Sequence, residues 1–116
     1  MAQIPQIAVH DLDAAVADGA VLLDVREDEE FAAGHIAGAV HVAMNTVPRR
    51  WQEDPDLVPD GRPVVVVCKV GGRSAQVTGW LRQRGVEAHN LDGGMLAWAH
   101  DGRPMTSDDG TAARVA

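Results

Sequence analysis

The sequence predicts an α/β fold, a central and mainly parallel five-stranded sheet flanked by helices on both faces. Three observations predict it. Short apolar runs alternate with helical segments along the whole chain, the pattern of repeated strand and helix units. Two of those runs, Val21-Leu22-Leu23-Asp24-Val25 and Pro63-Val64-Val65-Val66-Val67, are almost continuously apolar, as strands covered on both faces are. The length, 116 residues, is that of one ordinary domain able to bury a core without disulfides or metals. One domain over residues 1–116 is therefore expected, with a core of about 4–104 and a flexible tail over 105–116.

Each element has its own signal. Ile7-Ala8-Val9 reads as a short first strand, and the alanine-rich stretch Asp11 to Asp18 reads as a helix closed by Gly19. Val21 to Val25 is the second strand. Its Asp24 would be costly to bury without a partner, and Arg26 is the nearest candidate. Glu27 to Gly34 suits a short helix whose early acids favour the helix dipole, with Phe31 inward and the acidic run solvated. Ala39 to Val42 is a third strand, and Asn45 to Trp51 a further helix with Pro48 tolerated in its first turn. Glu53 to Pro63, with three prolines and four acids, is a surface connection. The valine strand follows, then a helix expected from Ser74, as N-cap, to Gly85. Ala88-His89-Asn90-Leu91 is the fifth strand, and Met95 to His100 the last helix. Beyond Met105 no periodicity persists, which is the basis for expecting a mobile tail.

Charge and cysteine content narrow the function classes. Ten Lys and Arg against 17 Asp and Glu give a net charge of −7, so the general surface should repel nucleic acid and anionic membranes. No apolar run approaches the ~20 residues that cross a bilayer. A single cysteine cannot form an internal disulfide, and no N-terminal basic-then-apolar stretch resembles a secretory signal. The cytoplasm is the expected compartment.

That cysteine is the chemical focus of the chain. Cys68 ends the valine run and opens Cys68-Lys69-Val70-Gly71-Gly72-Arg73-Ser74. A lone cysteine among valines is ordinarily a small buried hydrophobe. One that only filled space would need neither two adjacent glycines, which let a backbone turn inward, nor two cations within five positions. A strand end, a glycine loop and a helix N-terminus together make an anion trap that favours thiolate over thiol, with Lys69 and Arg73 adding positive charge. In parallel sheets ligands bind beyond the carboxyl ends of strands, where Cys68 falls. The five histidines show no close metal-ligand spacing with the lone cysteine, so no metal and no cofactor are expected.

Four separated motifs resemble one family. Leu22-Leu23-Asp24-Val25-Arg26, then Glu30-Phe31 with Gly34-His35-Ile36-Ala37-Gly38-Ala39, then Cys68 to Ser74, then Leu91-Asp92-Gly93-Gly94-Met95-Leu96-Ala97-Trp98, are similar to the single-domain rhodaneses in order and spacing from about Ile7 to Pro104. The resemblance implies a sulfurtransferase that moves a sulfane sulfur from thiosulfate or a persulfide to a thiol, cyanide or protein acceptor through a Cys68 persulfide. It implies that Lys69, Val70, Gly71, Gly72 and Arg73 bind the donor, with their backbone amides cradling the sulfur. Asp24 and Arg26 match the motif at a strand end and are expected to support the loops as a buried pair. His35 and Trp98 are expected to pack rather than react. Because no second cysteine can resolve a persulfide, the acceptor must be external: a low-molecular-weight thiol, cyanide or a thioredoxin-like protein. One departure stands out, since many single-domain relatives carry a small polar residue where this chain has Val70, which makes the mouth more apolar and bears on thiosulfate as donor.

Two rivals share the scaffold. Cysteine phosphatases and arsenate reductases resemble the pattern with five residues between cysteine and arginine; here four intervene, and Ser74 stands where their arginine would be. The tighter ring suits one sulfur better than a tetrahedral dianion. A non-catalytic binding or regulatory module is the other reading, since a fold alone does not establish activity; such a module would be expected to lose the cysteine.

Overall fold

In a computed structural model, which describes residues 3–58 and 61–116, strands and helices alternate. In order they are β1 (Gln6–Ile7), α1 (Val9–Ala17), β2 (Val21–Asp24), α2 (Asp28–Ala33), β3 (Val40–His41), a 3-10 turn (Met44–Thr46), α3 (Val47–Glu53), β4 (Val64–Val67), α4 (Gly72–Arg82), β5 (Ala88–Leu91) and α5 (Gly94–His100). The five strands form one parallel sheet in the order β1-β5-β4-β2-β3. The predicted fold class holds.

Strand alternation divides the core. Val21, Leu23, Val64, Val66 and Ala88 face Val47, Val77 and Leu81 of α3 and α4. Leu22, Val65, Val67 and Leu91 face Leu12, Met95 and Trp98 of α1 and α5. Successive side chains of a strand point to opposite faces, and both faces here are covered, so β2 and β4 are buried at every position. Trp98 is a core residue as expected, with its Nε1–H donating to the Pro104 carbonyl at 2.9 Å. Trp51 and Trp80 meet edge to face at 6.2 Å, a favoured aromatic geometry.

Several boundaries differ from expectation. The first strand is Gln6–Ile7, and Val9 already opens α1 because Ala8 is the last extended residue. An apolar triplet alone cannot tell a strand end from a helix start. The connection expected over 53–63 includes residues 59 and 60, which lie outside those described. The segment from Met105, expected to be a mobile tail, is placed along α2. Thr106 exchanges backbone hydrogen bonds with His35 at 2.8 and 2.9 Å, and the N–H groups of Asp108 and Arg114 donate to Ala32 and Ala33. Met105 and Val115 pack on the α1/α5 side of the core. Backbone pairing of this kind leaves no hydrophobic period in the sequence to read.

The topology places the site. The chain leaves β2 toward β3 on one side and leaves β4 toward β5 on the other. Neighbouring strands whose connections diverge open a crevice at their carboxyl ends. Asp24 and Arg26 stand at the end of β2, and Cys68 at the end of β4.

Candidate active site

Cys68 is the first residue after β4, 1% exposed, with its sulfur at the floor of the following loop. Two hydrogen bonds reach that sulfur. The Gly71 N–H donates at 3.1 Å and the Ser74 hydroxyl at 3.2 Å. Burial pushes the thiol pKa up, but the Ser74 hydroxyl and the backbone N–H groups of Ser74, Gly71 and Val70 together bring it below the ordinary value. A depressed pKa favours the thiolate, the nucleophilic form.

While the Val70, Gly71 and Ser74 N–H groups act on the sulfur, three carbonyls of the loop are taken up elsewhere. Cys68 and Lys69 direct their carbonyls to the N–H groups of Met95 and Leu96 at 2.9 and 3.0 Å. The Gly71 carbonyl accepts from Ala75 N–H at 3.1 Å and from Asn90 Nδ2 at 3.2 Å. The start of α5 thus serves as the outer wall of the cysteine loop. Gly94 makes that approach possible: a β-carbon there would lie 2.7 Å from the Lys69 oxygen and closer still to the Cys68 oxygen, and its φ of +57° is one that side-chain-bearing residues avoid.

The expected serine N-cap is corrected here. Gly71 caps α4 with a φ of +113°, a conformation glycine reaches without steric cost, so the helix begins at Gly72. Ser74 is consequently inside the first turn and fully buried, with its hydroxyl free to bond the sulfur instead of the backbone.

The remaining candidate residues fall into a rim and a frame. Lys69 and Gly71 are half-buried, and Val70 is 60% exposed at the loop tip. Arg73 sits in the first turn of α4, but its terminal nitrogens are held by Glu30, Nη1 to Oε1 at 2.7 Å and Nη2 to Oε2 at 2.9 Å. Glu30 departs from the expectation that the acidic run of α2 is solvated throughout, with a side chain only 17% exposed. Arg73 and the Glu27 N–H, which donates to Glu30 Oε1 at 3.0 Å, hold its carboxyl pKa down at about 2 against the opposing effect of burial. The spacing of Glu27 and Glu30 is that of a capping box, which does form. That spacing is the available sign that Glu30 is a fixed rather than a loose carboxylate.

The frame is the pair Asp24 and Arg26, both 0% exposed. Arg26 donates Nε to Asp24 Oδ1 at 3.0 Å and Nη2 to Asp24 Oδ2 at 2.8 Å, then reaches the carbonyls of Gly34 at 2.8 Å and Glu30 at 3.3 Å. One guanidinium therefore ties the end of β2 to both ends of α2. Phe31 stacks between His35 and His41, with ring centroids 3.8 and 4.4 Å away. His35 Nδ1 lies 2.8 Å from the Phe31 carbonyl and His41 Nε2 lies 2.7 Å from the Arg26 carbonyl. These contacts pack His35 against Phe31 and the end of α2. Among the described residues, no three His, Cys, Asp or Glu side chains are grouped to hold a metal ion.

Fold and site together define an α/β domain with a thiol presented by a parallel strand to a glycine loop and a helix N-terminus. The family model for the rhodanese-like domain matches residues 8–101, and the chain belongs to that family. A sulfurtransferase from Allochromatium vinosum is 37% identical over 91 residues, 78% of this chain and 81% of its own. A thiosulfate sulfurtransferase, GlpE, from Tolumonas auensis is 31% identical over 102 residues, 86% of this chain and 92% of its own. Among solved structures, a rhodanese-like domain protein from Staphylococcus aureus superposes with a TM-score of 0.72 at 29% identity, covering 96% of this chain and 99% of that one.

Proposed function

We propose that the protein is a sulfurtransferase that carries a sulfane sulfur on Cys68. The observation that carries this reading is the sulfur's setting, a lone thiol at a strand end with a buried hydroxyl and backbone amides donating to it and its pKa depressed. Relatives named sulfurtransferases, among them a thiosulfate sulfurtransferase, support the same chemistry.

In the first half-reaction the Cys68 thiolate attacks the sulfane sulfur of the donor. A Sγ–S bond forms, the donor's S–S bond breaks, and the leaving group departs with its electron pair, as sulfite from thiosulfate or as a thiolate from an organic persulfide. In the second, an acceptor thiolate or cyanide attacks the outer sulfur of the persulfide and Cys68 leaves as thiolate. The charge on the Cys68 sulfur is met by the Ser74 hydroxyl and the Val70, Gly71 and Ser74 N–H groups, which stabilise it without reorganising. Lys69, Val70 and Arg73 form the rim that meets the donor, while Asp24 and Arg26 hold the facing loop. The acceptor comes from outside, a small thiol, cyanide or a thioredoxin-like protein, because the chain has one cysteine. A phosphatase reading is disfavoured by the four-residue ring and by an arginine whose terminal nitrogens already hold a carboxylate. A lone cysteine, which forms no internal disulfide and works as a thiolate, suits a reducing, cytoplasmic setting.

Intact-mass spectrometry before and after a sulfane donor, then after cyanide, tests the proposal. One added sulfur on the wild type that cyanide removes, and none on Cys68→Ser, is the expected result. Turnover by Cys68→Ser, or failure of the wild type to load from either thiosulfate or an organic persulfide, would reject it in favour of another nucleophile or a binding module.

A further inference from the structure

We infer that Glu30 determines donor specificity, cancelling the charge of Arg73 so that the cysteine loop takes a persulfide of low charge in preference to dianionic thiosulfate; this rests on the sulfur-transfer reading above.

Arg73 is a loop cation placed to receive an anionic donor, because it stands in the first turn of α4 and feels the charge of Cys68. Its two terminal nitrogens are nevertheless occupied, fork to fork, by a carboxylate of the same molecule. The paired geometry is the strongest form of this contact. Glu30 is not a mobile competitor. The Glu27 N–H and the first turn of α2 fix it, and Arg26 fixes α2 in turn through the carbonyls of Glu30 and Gly34. With its pKa held at about 2, the carboxylate stays charged at any pH where a thiolate exists. A free dianion would have to displace a group that is already in place, and an intramolecular partner acts at high effective concentration.

The rest of the rim points the same way. Lys69 is the cation of the loop that makes no ion pair among the described residues, one flexible point charge facing a donor with two negative charges. Val70 is 60% exposed beside it, and Leu96, whose N–H bonds the Lys69 carbonyl, is 44% exposed. Apolar surface at the rim suits the carbon chain of an alkyl persulfide and solvates a sulfonate poorly. The Cys68 thiolate would attack the terminal sulfur of R–S–SH, giving Cys68–S–SH and releasing R–S⁻ with the electron pair of the broken S–S bond. No further reactant is needed.

The experiment compares single-turnover loading of Cys68 from thiosulfate and from 2-hydroxyethyl persulfide, which carries at most one negative charge, followed by intact mass. Wild type, Glu30→Gln, Arg73→Gln and the double variant are compared at low and high salt. Glu30→Gln should raise the ratio of thiosulfate to persulfide loading on the order of tenfold, an effect that shrinks with salt. Arg73→Gln should lower that ratio, and the double variant, with the local charge again cancelled, should return it to near the wild-type value. A ratio that does not respond to Glu30→Gln, or a double variant that behaves like Arg73→Gln, would overturn the inference while leaving sulfur transfer standing. Wild-type protein that loads from neither donor would overturn both.

Discussion

Two arginine–carboxylate pairs flank the cysteine loop, alike in chemistry and opposite in setting. Asp24 and Arg26 are two residues apart in sequence and wholly buried at the end of β2. Glu30 and Arg73 are 43 residues apart and meet at the rim, with side chains 17% and 35% exposed. The first pair is closed off from solvent and spends its remaining donors on the Glu30 and Gly34 carbonyls. The second joins α2 to α4 and stays partly open to solvent. Burial therefore separates their roles, with the inner pair fixing geometry and the outer pair setting charge.

The largest effect should come from breaking the inner pair. Asp24→Ala leaves an arginine buried without its counter-charge, a change that costs about 3–5 kcal/mol. Urea unfolding should show that loss. Replacing both partners with apolar residues should recover much of it, because desolvation of two charges is then avoided. A loss under about 1 kcal/mol for Asp24→Ala would mean that water reaches Arg26, and the contrast between the pairs would collapse.

The inner pair is legible in the sequence and the outer one is not. Asp24 in an apolar run demands a near partner, and Arg26 is two positions away, so local reasoning finds it. The pairing of Glu30 with Arg73 is created by the sheet order, which carries β4 and its loop to the side of β2; no local pattern encodes it. An acidic first turn reads as dipole compensation whether or not one of its members turns inward. Ser74 misleads for a related reason. Serine before a helical run is the ordinary N-cap signal, and only the left-handed Gly71 moves the helix start forward and frees the hydroxyl. Cys68, the glycine loop and the valine strands are legible because strand burial and loop composition are local. The support from α5, through Met95, Leu96 and Gly94, is invisible in the sequence because it depends on backbone atoms that every residue carries.

An intermediate effect should separate both pairs from the thiol itself. The Ser74 hydroxyl is the largest influence lowering the Cys68 pKa, and hydrogen bonds to charged groups contribute about 1.5–3 kcal/mol. Ser74→Ala should therefore move thiol titration to higher pH and slow alkylation by iodoacetamide near neutrality by roughly tenfold, after allowing for the greater nucleophilicity of a more basic thiolate. Arg73→Ala should shift that titration less, since its charge is spent on Glu30. If Arg73→Ala shifted it more than Ser74→Ala, the outer pair would be acting on the nucleophile and not on the donor.

The smallest effect concerns the stability that the outer pair contributes. Glu30 titrates near 2 in the folded protein against 4.5 for an ordinary glutamate. A depressed carboxylate stabilises the fold above its unfolded pKa, and that stabilisation is lost as pH falls through the folded value. The window here runs from about pH 4.5 down to about pH 2. Solvent screening at the exposed Arg73 limits the contribution to about 1 kcal/mol or less. Wild type and Glu30→Gln should thus differ by that small amount in urea at neutral pH and converge at the acid end of the window. A gap that survived at pH 2 would mean Glu30 stabilises by packing rather than charge. The expected small and titratable gap fits a carboxylate whose main consequence is the potential it imposes on the donor.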